Sequence, residues 1–315
     1  MNVHYKKISI ITPFYNEEEG VDHFYKALRL VFSQIEEMEF EVICVDDGSS
    51  DDTLEKLISI TEKDHHFQVI ELSRNFGKEA ALTAGIDVAT GDAIIPIDAD
   101  LQDPPELIHK MIKEWLNGAE VVLARRIDRS SDSFLKRKTA EIFYRMHNRL
   151  SSIQIPENVG DFRLMDRIVV DALKQLPEQH RFMKGLFAWV GFKTVTLDYV
   201  RNPRKAGETK FSGWKLWNFA LEGITSFSAT PLKFWSYLGG IGALVTFFYA
   251  MFIVSRTLIY GVDIPGYASL LVAVLFFGSL QLISVGMLGE YIGRIYMETK
   301  SRPLYLIRKH YGDKE

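Results

Sequence analysis

Short runs rich in Ile and Val recur along the first 124 residues, and helix-spaced segments lie between them. The runs fall at 8–12, 41–45, 68–72, 93–97 and 120–124, and the helical segments at 17–34, 53–62, 78–88 and 105–117. The last of these opens on Pro105, which a helix tolerates in its first turn. Few folds satisfy such alternation. It predicts an α/β domain built on a mostly parallel sheet with helices on both faces. In sheets of this kind, ligands sit beyond the carboxyl ends of the strands.

The residues after each run are therefore the ones to read. Pro13-Phe14-Tyr15-Asn16-Glu17 follows the first, and Asp46-Asp47-Gly48-Ser49-Ser50-Asp51 the second. Ser73-Arg74-Asn75-Phe76-Gly77-Lys78 follows the third, and Asp98-Ala99-Asp100 the fourth. Asp or Ser before a helix is a common cap, but four polar clusters in register predict a site. No GxGxxG, GxxxxGK[ST] or His-Glu-x-x-His is present, which argues against dinucleotide, P-loop and zinc-protease chemistry. Asp98, Asp100 and Gln102 offer only oxygen, a donor set that selects Mg²⁺ or Mn²⁺ over zinc. Two carboxylates cannot enclose such an ion. Its open positions suit the oxygens of a diphosphate.

Composition excludes other classes. The net charge of −4 gives no global basic field for nucleic acid. The one cysteine, Cys44, lies in an apolar run and reads as core; it rules out an intrachain disulfide. The start MNVHYKKISIITPF has too short an apolar stretch for a signal peptide.

The averages, 47% hydrophobic and 25% charged, hide a division of the chain. Residues 238–254 and 266–289 carry no formal charge, and each run approaches the roughly 20 residues that cross a bilayer. They predict a transmembrane hairpin at about 236–258 and 266–289, with Trp235, Tyr237, Tyr260, Tyr267 and Tyr291 as interfacial belts. Lys and Arg crowd both flanks, while the connecting loop has Arg256 alone, so the flanks are predicted to be cytoplasmic. The expected organisation is a catalytic domain at 1–209, interfacial amphipathic helices at 210–233, the hairpin at 234–293 and a basic tail at 294–315. Lys136, Arg137, Lys138, Arg145 and Arg149 read either as a lipid-facing patch or as solvated helix charge.

The ordered set PFYNEEE, VDDGSSDDT, RNFGKEAALTAG, PIDADLQDPPE, GDFRLMDR, RFMKGLFAWVG, KLWNFALEGITSFS and GEYIGRIYMETKSRPLY resembles family 2 glycosyltransferases with the GT-A fold. Within them it is most similar to the polyprenyl-phosphate branch, which includes dolichol-phosphate mannosyltransferases and the bacterial bactoprenol glucosyltransferases of O-antigen glucosylation. The resemblance covers nearly the whole chain. It implies that Pro13, Tyr15 and Glu17 line a nucleoside pocket, and that Val45 and Asp47 meet the base and ribose. Asp98, Ala99, Asp100 and Gln102 would hold the nucleotide sugar and the metal. Arg125 would contact a phosphate of donor or acceptor, and Arg204 and Lys210 the lipid phosphate. Asp161 would serve as a base or an orienting group.

The implied reaction is inverting transfer of a hexose, glucose from UDP-glucose, onto undecaprenyl or another polyprenyl phosphate at the bilayer. The product would be a lipid-linked sugar for later glycan modification. N-acetylglucosamine, galactose and mannose stay open as alternative sugars. A homotetramer in the bacterial inner membrane is implied as well. Two rivals weigh less. A processive polysaccharide synthase would carry QxxRW, which Gln179-His180-Arg181 does not fit. A non-catalytic nucleotide-sugar-binding membrane subunit would not need the intact Asp98, Asp100 and Gln102.

Overall fold

The computed structural model describes residues 6–35, 37–127, 156, 158–179, 181–200, 230–261 and 266–312. Its strands are β1 (Lys6–Phe14), β2 (Met38–Asp46), β3 (Phe67–Leu72), β4 (Ala93–Pro96), β5 (Val121–Arg126), β6 (Val159–Asp166), β7 (Thr194–Tyr199) and β8 (Ile307–Tyr311). They form one sheet in the order β7-β5-β6-β4-β1-β2-β3-β8. The helices are α1 (Val21–Phe32), α2 (Thr53–Thr61), α3 (Lys78–Val88), α4 (Leu107–Leu116), α5 (Arg167–Lys174), α6 (Met183–Trp189), α7 (Thr230–Tyr260) and α8 (Tyr267–Thr299).

The predicted parallel core is present: β3, β2, β1 and β4 run the same way. Beyond it the sheet is mixed. β6 is antiparallel to both β4 and β5, β7 returns parallel to β5, and β8 closes the far edge antiparallel to β3. Side chains alternate across a strand, so β1 sends Ile8 and Ile10 to one face and Ile11 to the other. The first face packs Phe24 and Leu28 of α1, Leu57 of α2, and Ile108, Met111 and Trp115 of α4. The second packs Ala81 and Leu82 of α3, Val169 and Val170 of α5, and Leu186 of α6.

Helix α3 lies close on β1. A Cβ added at Gly85 would stand 2.2 Å from Ile11 Cγ2 and 3.3 Å from Val45 Cγ2. Alanine in place of glycine favours a helix by about 1 kcal/mol, whereas overpacking a core costs about 1–3 kcal/mol. Ile11 is fully buried and cannot yield. Gly85→Ala is therefore expected to lower the chemical denaturation midpoint with an unchanged slope; a raised midpoint would refute the close packing.

The segment beyond 294 is more than a tail. Residues 307–311 are strand β8, and Ser73 N–H donates to Leu306 O at 2.9 Å just before it. In chain order α7 and α8, which contain the expected spans, stand between β7 and this strand. Among the described residues, no helix is long and apolar enough to cross a membrane. Side chains at 230–236, 243, 246, 250, 253, 254 and 257 of α7, and at 267–269, 271, 272 and 275 of α8, lie outside the described ones. Large apolar side chains that are described face outward, with Leu244 59%, Phe248 61% and Leu282 73% exposed. The expected interfacial segment up to 229, and the basic residues from Lys136 to Arg149, lie outside the described residues.

Candidate active site

The loops after β1 and β2 are stapled together. Asn16 adopts φ 51°, a left-handed conformation that Asn tolerates better than most residues. Its amide donates to Ser49 Oγ at 3.1 Å, and its side-chain oxygen accepts from Ser50 N–H at 2.8 Å. Glu17 N–H donates to Thr53 Oγ1 at 3.0 Å. Pro13 is half-buried and Tyr15 is 44% exposed, so the tyrosine ring stands at the sheet edge.

Asp46 closes β2 and Asp47 follows it, and the two carboxyls have different partners. Asp47 is buried and accepts from Phe76 N–H at 2.7 Å and Gly77 N–H at 2.9 Å, so it braces the loop after β3. Gly48 makes the approach possible: it sits at φ 70°, and a Cβ there would be 2.7 Å from the backbone of Arg74 and Asn75. Val45 is fully buried in the core, which leaves only its backbone for a ligand. Asp46 was not singled out by the sequence, yet its Oδ1 is buried without a partner. Burial also raises the Asp46 carboxyl above the usual range, against the lowering effect of Ser49.

β4 delivers Asp98, Ala99 and Asp100 to the same edge, with Ile97 N–H donating to Ile11 O at 2.9 Å. The loop turns through Leu101 at φ 50°, a strained conformation for a bulky side chain. Gln102 N–H donates to Asp100 Oδ1 at 3.2 Å. The acidic run divides at this turn. Asp103 is buried and accepts from the Tyr199 hydroxyl, which ties the loop to β7.

The centre of the site is a residue the sequence placed at the edge without assigning it a role. Lys78, first residue of α3, sets its Nζ 2.6 Å from Asp98 Oδ1 and 2.8 Å from Asp161 Oδ2. These contacts hold the ammonium charged and raise its pKa despite desolvation. Its signal was available in the RNFGKE stretch, on the third of the four clusters. Asp161 comes from β6, and its Oδ1 is buried without a partner. Burial would raise its pKa, but Lys78 and Lys184 outweigh burial and hold it down to about 2. Neighbouring Glu79 has gone the other way. Burial, with the charge of Asp161, pushes it up to about 8. A carboxylate as acidic as Asp161 is a weak base and a strong electrostatic anchor, so its geometry favours orienting over proton abstraction.

Arg125 forms a two-pronged pair with Asp198, 2.7 Å from Nε and 3.0 Å from Nη2, across β5 and β7. A phosphate would have to displace that carboxylate. Arg204 and Lys210 lie outside the described residues. For a divalent ion, Asp98, Asp100 and Gln102 share one loop, and a cation already stands beside Asp98 in the form of the Lys78 ammonium. The donor set thus fits a hard ion. Asp64, His65 and His66 also bring ligand atoms within 4.8 Å of one another. That cluster is at the opposite edge of the strands, and Asp64 is held by Arg29 and His66.

The chain is 53% identical over 303 residues to a prophage bactoprenol glucosyl transferase homolog of Escherichia coli, covering 96% of this chain and 99% of that one. It is 52% identical over 308 residues to the SfII prophage-derived bactoprenol glucosyl transferase of Shigella flexneri, covering 98% and 99%. A mannosyltransferase of Pyrobaculum calidifontis, solved with GDP-Man and Mn²⁺, aligns at 16% identity and TM-score 0.45, covering 96% and 85%. The model for glycosyl transferase family 2 matches residues 9–174, which run from β1 through the Lys78 bridge to the end of α5. A strand edge that gathers paired carboxylates, and whole-length relatives that transfer sugars, lead to one assignment: the chain is a glycosyltransferase and belongs to glycosyl transferase family 2.

Proposed function

We propose that the chain transfers glucose from UDP-glucose to a polyprenyl phosphate, undecaprenyl phosphate in bacteria, at the cytoplasmic face of the membrane. The observation that carries this reading is the Asp98–Lys78–Asp161 bridge beside the Asp100–Gln102 loop, in a chain more than half identical to bactoprenol glucosyl transferases. Tyr15, Pro13, Glu17 and the braced loop of Asp46 and Asp47 receive the nucleoside. Asp98, Asp100 and Gln102 would hold Mg²⁺ or Mn²⁺, which would supply Lewis-acid neutralisation of the diphosphate. Lys78 adds a fixed positive charge between donor and acceptor.

The acceptor phosphate has a second pKa near about 6 and is largely ionised at neutral pH. Its oxygen attacks the anomeric carbon while the bond from that carbon to the diphosphate oxygen breaks. The electron pair leaves on UDP and the configuration inverts. No proton needs to be removed, which suits the strongly acidic Asp161. Positioning and electrostatics carry the step.

The membrane part of the proposal rests on two charge-free runs and on outward-facing apolar side chains along α7 and α8. Strand β8 adds a topological argument. It joins β3 after the helices, so the chain must return to the side it left, as a two-span hairpin does. Arg125, Arg204 and Lys210 remain proposed contacts of the lipid phosphate. Among the described residues, an added Cβ at Gly239, Gly240, Gly286, Gly289 or Gly293 would meet nothing within 4 Å, which suits packing against other subunits of a proposed tetramer.

Incubation with bacterial membranes and a panel of labelled UDP- and GDP-sugars tests the reading. Label from UDP-glucose is expected in the lipid extract, in a product that mild acid releases as free sugar. Label that stays in water with every donor would overturn the transferase reading, and label from another sugar would overturn glucose.

A further inference from the structure

Behind Asp161, on the α6 face of the sheet, lies a cavity of about 200 Å³ that the reaction as described leaves unused. Its polar wall is Arg163 and Lys184, and its apolar wall includes Leu123, Val159 and Phe187. Arg163 is only 6% exposed. It donates through Nη2 to Gly160 O at 2.7 Å and stacks on the Phe187 ring, 4.0 Å from its centroid. Its Nε is buried with no partner. An unmet donor on a buried guanidinium is costly, and Arg163 is one of the residues that line this cavity.

The charges around it are unbalanced. Lys78, Arg163 and Lys184 surround Asp161, and Lys78 is shared with Asp98. Glu79, the remaining carboxyl, is pushed toward its neutral form. Among the described residues one positive charge therefore lacks a counter-ion, and an anion would supply it. Size limits which one. Sites for drug-sized molecules measure about 300–1,000 Å³, so this cavity is too small for a nucleotide sugar. Position selects further. The nucleoside loops follow β1, β2 and β3, whereas the cavity lies under β6 and β5, on the other side of β4.

We propose that this cavity receives the phosphate end of the lipid acceptor, with the phosphomonoester on Arg163 and Lys184 and the first isoprenoid unit against Val159, Leu123 and Phe187. The proposal rests on the polyprenyl-phosphate reading above and deepens it. Asp161 and Arg163 are two residues apart on one strand and share a face. A phosphate on Arg163 thus stands next to the carboxylate that holds Lys78, at the boundary between acceptor and donor. The apolar wall explains why the ligand must carry hydrocarbon as well as charge.

Geranyl phosphate is a soluble probe of both features. With the full-length enzyme in detergent, calorimetry is expected to detect geranyl phosphate and not geraniol, with inorganic phosphate about 10-fold or more weaker. Lys184→Gln is expected to raise the KM for geranyl phosphate about 10- to 100-fold and leave the KM for UDP-glucose unchanged, and Lys184→Arg should restore most of the loss. Arg163→Met should act in the same direction. Because that variant removes a buried group, Ala188→Leu provides a second route: it fills the cavity from α6 without touching a charge, and should exclude geranyl phosphate while UDP-glucose still binds. A rise confined to the UDP-glucose KM would assign the cations to the donor diphosphate and overturn the proposal. So would wild-type geranyl phosphate affinity in both Lys184→Gln and Ala188→Leu. Those results would leave transfer to full-length polyprenyl phosphate intact; failure of the wild-type enzyme to glycosylate that lipid would instead remove the functional reading itself.

Discussion

Asp98→Asn and Asp100→Asn should each reduce sugar transfer by about a thousandfold or more in a protein that still folds. Both carboxylates belong to the proposed cation site, and each is expected to supply several kcal/mol of transition-state stabilisation; every 1.36 kcal/mol is about a factor of ten in rate. The two variants differ in one respect. Asp98 also binds the Lys78 ammonium, and in Asp98→Asn that ammonium keeps Asp161 as its partner. The interior therefore retains an ion pair, and the far-UV circular dichroism spectrum and the unfolding midpoint should stay close to wild type. Mn²⁺ binding followed by electron paramagnetic resonance provides a readout independent of turnover, and it should weaken in both. Undiminished transfer in excess chelator, or in either variant, would remove the metal from the reaction.

The sequence made the central sheet legible because its strands are apolar runs bounded by turn residues. What it hid shares a physical cause: polar residues in places where strands usually lack them. β6 carries Asp161 and Arg163, whose side chains are turned into the interior and only partly paired there, Asp161 with Lys78 and Arg163 with Gly160 O. Its pattern therefore resembles neither a buried strand nor an amphipathic one. β8 reads Ile-Arg-Lys-His-Tyr, and from sequence such basic residues read as a tail. Charge on an edge strand is a common guard against unwanted pairing, and here the Arg308 guanidinium and the Tyr311 hydroxyl hold Glu71 at 3.1 and 2.8 Å.

The site was legible to the same degree. Register alone brought four loops to one edge, and the structure places Tyr15, Asp47, Lys78 and Asp98 there as expected of their strands. Which carboxyl of the Asp46-Asp47 pair points to a ligand depends on the pleat and on loop packing, and the motif does not encode it. Lys78 was visible as a charge after the third strand. Its two carboxylate partners are 20 and 83 residues away in the chain, and only the sheet order brings them together.

Removing residues 301–315 should weaken nucleotide binding by about tenfold or more, although none of those residues is expected to touch the nucleotide. Strand β8 pairs Val69 with Tyr311, Ile70 with His310, Glu71 with Lys309 and Leu72 with Ile307. Immediately after Leu72, Ser73 N–H is held by Leu306 O, and three and four residues later come the Phe76 and Gly77 amides that Asp47 braces. Tyr305 adds a hydroxyl contact to Asp87 in α3 at 2.7 Å. The tail thus fixes both ends of the segment that carries Lys78. Its loss would also bare the edge of β3, an open template for aggregation. A second variant separates this role from that of the helices. Replacing residues 230–299 by a flexible Gly/Ser linker that keeps β8 should leave UDP-glucose affinity within a few fold of wild type while transfer to undecaprenyl phosphate in membranes collapses. Calorimetry with UDP-glucose and Mn²⁺ measures the first quantity, and labelled lipid extraction the second. Wild-type nucleotide affinity in the 301–315 deletion would deny β8 its part in shaping the donor site, and undiminished lipid transfer in the linker variant would deny α7 and α8 theirs in reaching the acceptor.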